Sequence, residues 1–354
     1  MSALVFERAP LRVYWELTRA CDLACRHCRA EAQPFRRLDE LPTLECERVL
    51  RELASTGHPA PHVIFTGGDP LKRPDLVHLV RYGTDRGLGM SVAPSATPGL
   101  SRDLVDHLKA AGVSAMSLSL DGPTAAHHDG IRGVLGCFGS TLVAAQRIVG
   151  AGILLQINTL VAAETEPHLE EVATLVAGLG AARWSLFFLV NVGRGQTLRS
   201  LSPIECERTL RWLVANGGRW PFTVTTTEAP HYRRVVIQRM RAEGRTSEEI
   251  HSSPAARGFG IRDGNGIMFI AANGDVTPSG FLPLVAGTVR QTNPLTIYRD
   301  SALFRALRTP EVFRGRCGVC QFRRVCGGSR ARAWASGGDV LGEDPLCAWE
   351  PRAA

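Results

Sequence analysis

Cys21, Cys25 and Cys28 stand in the run Cys-Asp-Leu-Ala-Cys-Arg-His-Cys, a Cys-x3-Cys-x2-Cys spacing on one short loop. Three thiolates so placed can ligate three irons of a cubane 4Fe–4S cluster, which needs four ligands, so one iron stays open for chemistry. Two other readings compete. Zinc usually draws four ligands from paired Cys-x2-Cys knuckles, and core thiols have no reason for this spacing on a loop rich in Arg and Asp. A second group comes far along the chain, with Cys317, Cys320, Cys326 and Cys347. Four thiols can ligate every iron of a second 4Fe–4S cluster and leave none open, which suits electron transfer or support of the fold. A structural zinc held by four cysteines looks the same from sequence. Cys46, Cys137 and Cys206 stand alone and read as core or neutral thiols.

The first loop needs a rigid platform. Residues 11–18 form an apolar run with β-branched and aromatic side chains, read as a buried strand that ends at the loop. Active sites of α/β barrels lie at that end of their strands. A helix is expected over 43–56, with Pro42 beside its first turn, and then a strand over 62–66 that runs into the turn Gly67-Gly68-Asp69-Pro70. The alternation continues with helices near 74–86, 101–111, 137–150, 166–179 and 202–216. Strands are expected near 88–94, 115–120, 154–160, 184–189 and 222–227. Strands alternating with helices of this length mean a parallel sheet. Six units are too few for a closed eight-stranded barrel, so the expected fold is α/β, an open six-unit (β/α) partial barrel over residues 1–227. A bridging segment over 228–265 holds an Arg-rich helix to about Gly244 and then loop, and Gly-rich residues 258–266 mark a boundary. A small C-terminal α+β domain, 266–354, opens with a hairpin turning at Asn273-Gly274 and continues with a helix near 297–308.

Composition narrows the class. At 354 residues and 44% apolar content the chain can bury one large core and a smaller one. Its first ten residues carry Glu7 and Arg8 and no long apolar run, and no membrane-spanning stretch follows, so a cytoplasmic location is expected. Ten cysteines, seven of them in two sets, fit metal ligation in a reducing compartment better than a disulfide framework. The formal charge of +7 is almost wholly arginine, since Lys72 and Lys109 are the only lysines. No stripe of interleaved basic and aromatic residues accompanies it, so no nucleic-acid partner is expected.

The Cys-x3-Cys-x2-Cys loop followed one strand later by Gly67-Gly68-Asp69-Pro70 resembles the radical S-adenosylmethionine (SAM) enzymes over essentially the whole chain. That resemblance implies that SAM chelates the open iron through its amine and carboxylate and is cleaved reductively to a 5′-deoxyadenosyl radical. It also implies a partial barrel, and a flavodoxin- or ferredoxin-type reductant. Gly67, Gly68, Asp69 and Pro70 resemble the Gly-Gly-Glu-Pro motif that binds the SAM amino group, with Asp in place of Glu. His27 takes the place of an aromatic near adenine. Ser95 or Thr97, Ser119, Arg132 and Asn158 would surround SAM, Arg132 at its carboxylate. The C-terminal part resembles SPASM/Twitch extensions, and Cys326-Gly-Gly-Ser-Arg-Ala-Arg-Ala-Trp with Asp344-Pro-Leu-Cys347 resembles the haem-synthesis branch. Ser279 and Ser329 stand where further cysteines are common, so one auxiliary cluster is expected and not two. The implied reaction is oxidative decarboxylation of propionates on an iron porphyrin, a small-molecule tetrapyrrole. Arg233, Arg234, Arg257, Arg330 and Arg332 would hold carboxylates, with His231 or Tyr232 near the substrate. A ribosomal-peptide maturase, a decarboxylase of a carboxylated sugar or nucleoside, and an iron–sulfur redox carrier or sensor are the competing functions. The maturase would be expected to carry an N-terminal winged-helix domain, for which a strand beginning near residue 11 leaves no room.

Overall fold

The computed structural model describes residues 6–56 and 59–351. Seven parallel strands follow in order: β1 (Arg12–Glu16), β2 (His62–Thr66), β3 (Gly89–Val92), β4 (Val113–Ser119), β5 (Leu154–Val161), β6 (Arg183–Phe188) and β7 (Thr223–Thr227). Between them run α1 (Thr43–Ala54), α2 (Leu76–Thr84), α3 (Arg102–Ala110), α4 (Ala125–Arg132), α5 (Cys137–Gly150), α6 (Leu169–Gly178) and α7 (Pro203–Asn216). Side-chain caps start several of these helices: Ser101 and Thr124 accept from the third amide onward, and Ser202 with Glu205 completes a reciprocal capping box.

Period-two alternation along the strands decides which face meets the helices. Val13 and Trp15, Val63 and Phe65, Met116 and Leu118, Leu155 and Ile157, Trp184 and Leu186 are all buried in the main core. Trp15 packs edge-on against Phe65 with centroids 5.8 Å apart, and the Trp184 indole donates to Thr159 Oγ1 at 2.8 Å. The alternate positions, Arg12, His62, Ser91, Ser117, Gln156, Asn158, Arg183, Ser185 and Thr225, face an inner cavity. Parallel strands buried on both faces ordinarily read as continuous apolar runs. Here the inner face mixes these polar residues with Tyr14, Ile64 and Phe187.

Beyond β7 come α8 (Tyr232–Ala242) and α9 (Ser247–Ser252), the latter where loop was expected, started by a capping box of Thr246 and Glu249. The hairpin β9 (Gly266–Ile270) and β10 (Asp275–Thr277) forms as expected, preceded by β8 (Arg262–Asp263) and followed by β11 (Gly287–Thr288). β9 also pairs in parallel with β1, Arg12 opposite Ile267, so among the described residues one sheet runs β11-β10-β9-β1-β2-β3-β4-β5-β6-β7. The helix expected over 297–308 is two, α10 (Pro294–Asp300) and α11 (Ala302–Arg308), because Ser301 is extended at ψ 132°. Two short helices, α12 (Gly315–Val319) and α13 (Arg330–Gly337), carry or flank the last cysteines. No single helix among the described residues is long and apolar enough to cross a membrane.

Candidate active site

The first cysteine loop leaves β1 at its C-terminal end and is tied down from several sides. Cys21 N donates to Gln33 O at 2.8 Å, Arg26 N to Ile131 O at the end of α4 at 2.9 Å, and Arg194 N to Cys28 O at 3.0 Å. Arg194 Nε adds a bond to Cys25 O at 3.0 Å. The loop's sulfurs gather with Cys137 and Leu23 in one small cluster. Two sulfurs accept hydrogen bonds, Cys21 from Leu23 N at 3.3 Å and Cys25 from Arg132 Nη1 at 3.6 Å. Donors aimed at sulfur suit thiolates bound to iron, because such bonds stabilise the charge that a cluster places there. Sequence reasoning missed Arg194, whose position on the loop after β6 gives no local signal.

Gly67 and Gly68 pack on protein backbone. A Cβ on Gly67 would lie 2.5 Å from Thr18 O, and one on Gly68 would lie 2.4 Å from Ala20 O. Gly68 N and Asp69 N donate to Thr18 O and Ala20 O, each at 2.7 Å, so this turn sets the height at which the cysteine loop begins. The buried Asp69 caps the turn at Pro70 through Leu71 N (3.1 Å) and also accepts from Ser95 N (3.3 Å) and Thr97 Oγ1 (3.4 Å). Burial pushes its carboxyl up to about 6, against those hydrogen bonds. Ser95 Oγ in turn sits 3.5 Å from Cys21 Sγ. Asp69, Ser95 and Thr97 therefore form one network beside the first cysteine.

Arg132 was expected at a SAM carboxylate. Its guanidinium spans Cys25 Sγ and Asp121, at 2.6 Å from the buried carboxylate. Its Nε is buried without a partner, a donor available to an incoming group. Arg132 belongs to α4, a helix not among those expected from the sequence, because Thr124 caps it and Gly133, at φ 70°, ends it. Asp121 was missed as a functional residue; it also accepts from Leu160 N at 2.7 Å. His27 lies in this neighbourhood, its Nδ1 buried and unpartnered, and burial together with the Arg132 charge lowers its pKa to about 4. The imidazole is thus neutral, as an adenine-facing ring would be. Ser119 and Asn158 are paired in register on β4 and β5. Asn158 faces the inner cavity and accepts from Gln156 Nε2 at 2.8 Å.

That cavity measures about 610 Å³. It spans the barrel from the N-terminal strand ends at Arg12, His62 and Arg183, past Asn158 midway along β5, to the C-terminal ends at Thr66 and Thr227, and its far wall includes Gly328, Ser329, Ser279 and the buried Glu228. Of the arginines expected at substrate, Arg233 lines it and the others do not. Arg234 pairs with Glu207, Arg332 with Asp344, and Arg330 donates to the carbonyls of Val340 and Gly342, while Arg257 lies exposed on a turn. Each buried guanidinium is taken up by internal acceptors, which a buried cation requires. His231 sits 3.4 Å from Cys206 Sγ and 3.9 Å from Asp344, and Tyr232 packs against the main core. Arg12 and Arg183 were missed, although their alternation with Val13 and Trp184 on strands places them on the inner face.

Cys317, Cys320, Cys326 and Cys347 line one cavity, with Arg234, Arg316 and Arg323 around it. Backbone amides point at three of the sulfurs: Phe322 N to Cys320 (3.4 Å), Gly328 N to Cys326 and Asp344 N to Cys317 (both 3.5 Å). No three His, Cys, Asp or Glu side chains among the described residues are gathered as a single metal ion would need. Zinc holds four sulfurs about 2.3 Å from one point. Four thiols set around a hollow, with N–H groups aimed at sulfur, fit a cluster better. Ser329 donates to Glu228 and Ser279 Oγ accepts from Phe281 N, so neither serine faces these sulfurs as a ligand.

Residues 15–176 match the radical SAM superfamily. The chain is 38% identical over 349 residues to the AdoMet-dependent heme synthase of Methanosarcina barkeri, covering 98% of this chain and 99% of that protein. It is 39% identical over 342 residues to the AdoMet-dependent heme synthase of Oleidesulfovibrio alaskensis, covering 96% and 87%. In three dimensions it resembles Streptococcus suis SuiB bound to its precursor peptide SuiA, with a TM-score of 0.75 at 17% identity over 98% of this chain and 77% of that one, a likeness of fold. The chain belongs to the radical SAM superfamily, in the branch that holds the AdoMet-dependent heme synthases, and its cofactors are SAM and 4Fe–4S chemistry.

Proposed function

We propose that this enzyme oxidatively decarboxylates propionate side chains of an iron tetrapyrrole. The observation that carries the reading is the barrel cavity of about 610 Å³, which reaches from the strand ends beneath the first cysteine loop to Gly328 and Ser329, two and three residues after Cys326. A substrate held there would meet Arg29, the residue after Cys28, and Gly328, whose Cβ position lies 3.1 Å from Cys317 Sγ. Cys21, Cys25 and Cys28 would hold the SAM-binding cluster, and Cys317, Cys320, Cys326 and Cys347 the auxiliary one. Bound at the first site, SAM and a reduced cluster supply a 5′-deoxyadenosyl radical. The substrate propionate gives up a hydrogen atom from the carbon β to its carboxylate and then carbon dioxide. A vinyl group would form and one electron would have to leave, and taking up that electron is the chemistry that a cluster held by Cys317, Cys320, Cys326 and Cys347 would supply.

The chain's part is positioning. Asp69 offers a carboxylate for an ammonium, Arg132 Nε a donor for a carboxylate, and neutral His27 a flat surface, with Gly67, Gly68 and Pro70 fixing the turn, Ser95 and Ser119 beside it, and Asn158 at the cavity wall. The test is anaerobic: reconstitute with iron and sulfide, add SAM and dithionite with and without iron coproporphyrin III, and follow 5′-deoxyadenosine and porphyrin masses. Deoxyadenosine with successive losses of a carboxyl group and its hydrogen is the expected result. Deoxyadenosine over an unchanged porphyrin would overturn the substrate and point to peptides or carboxylated sugars.

A further inference from the structure

Three guanidiniums line the barrel cavity without an ion pair among the described residues. Arg12 and His62 begin adjacent strands and are in register, β1 to β2. Arg183 begins β6, which is not a neighbour of β1, yet the Arg12 charge reaches it across the lumen and adds to the lowering of its pKa by burial. Arg233, at the start of α8, is lowered to about 10, chiefly by burial and further by Arg12. His62 is lowered by burial and then by Arg12 and Arg183. All four line the cavity.

Their internal partners are few. Among the described residues Arg12 makes no ion pair. Arg183 reaches only Gln156 Oε1 and Arg233 only Val325 O, each at a long 3.4 Å. The acidic groups of the same cavity are engaged elsewhere. Asp263 accepts from Arg330 N and Ala331 N at the start of α13, and Glu228 accepts from Ser329 Oγ. Arg29 and Glu16 satisfy each other, and Arg262 donates to the carbonyls of Gly260 and Leu307. Arg12 and Arg233 are half-buried and Arg183 is exposed, and like charges gathered on one cavity wall favour an anion that joins them.

We infer that Arg12 and Arg183, with His62 beside them at the N-terminal floor of the barrel and Arg233 reaching the same cavity from the start of α8, form a carboxylate subsite, which holds substrate carboxylates that do not react. The inference rests on the tetrapyrrole reading only for the identity of those carboxylates. Because the floor lies at the opposite strand ends from the first cysteine loop, a macrocycle anchored there by two acids presents its other edge to the radical. Loss of one planar fork removes up to two charge-assisted hydrogen bonds and weakens the anchor by about tenfold or more.

The experiment is a binding titration on reconstituted protein, without reductant, of metal-free coproporphyrin III, its tetramethyl ester and benzene-1,3,5-tricarboxylate, comparing wild type with Arg12→Gln, Arg183→Gln and Arg12→Gln/Arg183→Gln. Cluster absorbance and melting temperature confirm that each variant is folded. Expected are about tenfold weaker porphyrin binding for each single variant, a larger loss for the double, and weak binding of the ester to all. Equal binding of the tetra-acid by all four proteins overturns the subsite and leaves the tetrapyrrole reading standing. If wild type ignores both porphyrins but binds the tricarboxylate in an arginine-dependent way, the subsite stands and the tetrapyrrole reading falls. Binding of neither acid overturns both.

Discussion

Replacing Arg132 by Gln tests whether the ionic bridge behind the first cysteine loop organises the site. In the native protein the guanidinium lies 2.6 Å from Asp121 Oδ2 and 3.6 Å from Cys25 Sγ, and the Asp121 side chain is about 1% exposed. Without Arg132 that carboxylate retains one amide bond, from Leu160 N. Removing one partner of a buried pair costs about 3–5 kcal/mol. The cost depends on pH in a definite sense. Burial raises the Asp121 pKa, but Arg132 and the neighbouring His27 and His128 outweigh it and hold the carboxyl below its ordinary range. The pair therefore contributes stability above the unfolded carboxyl pKa of about 4, and loses it as pH falls through the lower folded value. In Arg132→Gln, burial acts with less opposition, and Asp121 takes up a proton at higher pH. The gap between wild type and variant should be widest at neutral pH and narrow toward acid. Anaerobic urea denaturation followed by tryptophan fluorescence reads the gap, and iron content reads the loop. Arg132→Gln/Asp121→Asn should recover most of the loss, since two neutral amides can bond each other. A single variant within about 1 kcal/mol of wild type, or a double no better than the single, would refute the bridge.

Gly68→Ala places a methyl 2.4 Å from Ala20 O and 2.7 Å from Arg19 O, all rigid backbone, and should lower stability by about 1–3 kcal/mol and reduce iron incorporation. Gly139→Ala on α5, where a Cβ meets nothing within 4 Å, should be neutral or stabilising by up to about 1 kcal/mol in the same denaturation assay. Glu228 is pushed well above the ordinary carboxylate range by burial and then by Asp263. Such a group makes wild type lose stability as pH rises from the unfolded pKa of about 4.3 toward the folded one. Glu228→Gln should therefore be more stable than wild type at neutral pH, by a margin that grows with pH; a melting-temperature difference that is flat or shrinks with pH counts against it. Cys25→Ala should abolish SAM cleavage, whereas Cys320→Ala should retain some 5′-deoxyadenosine formation but impair product. Undiminished turnover in both would remove the two assigned roles.

Much of the fold was legible because strand and helix periods are local. The strand over 62–66 and the helix over 137–150 sit where the residues indicate, and the two sets of cysteines were evident from spacing alone. What escaped were features set by tertiary contact. α4 is not among the expected helices because His, Asp and Gly crowd it, and only its Thr124 cap and its packing against the cysteine loop make it a helix. β9 reads as the start of something separate, yet its amides complete the open edge of β1. No local pattern announces which edge a strand will join.

The functional residues divide along the same line. Residues chosen for their type alone, Arg234, Arg330 and Arg332, proved to be internal struts: an arginine in a buried segment must find acceptors, and the local carbonyls, Glu207 and Asp344 supply them. Arg12 and Arg183 follow a different logic. Each alternates with a tryptophan or valine that faces the core, so strand geometry alone sends its side chain into the lumen, where neither meets a carboxylate. The informative signal for a ligand-facing cation in a barrel is thus its parity relative to the buried aromatics on its own strand. Glu228 shows the complementary case. A glutamate at φ 57°, buried beside a second acid and just ahead of the segment that leads to the auxiliary thiols, breaks both backbone and charge preferences. Backbone and charge outliers of this kind concentrate at ligand sites, and Glu228 lines the same cavity as Arg12 and Arg183.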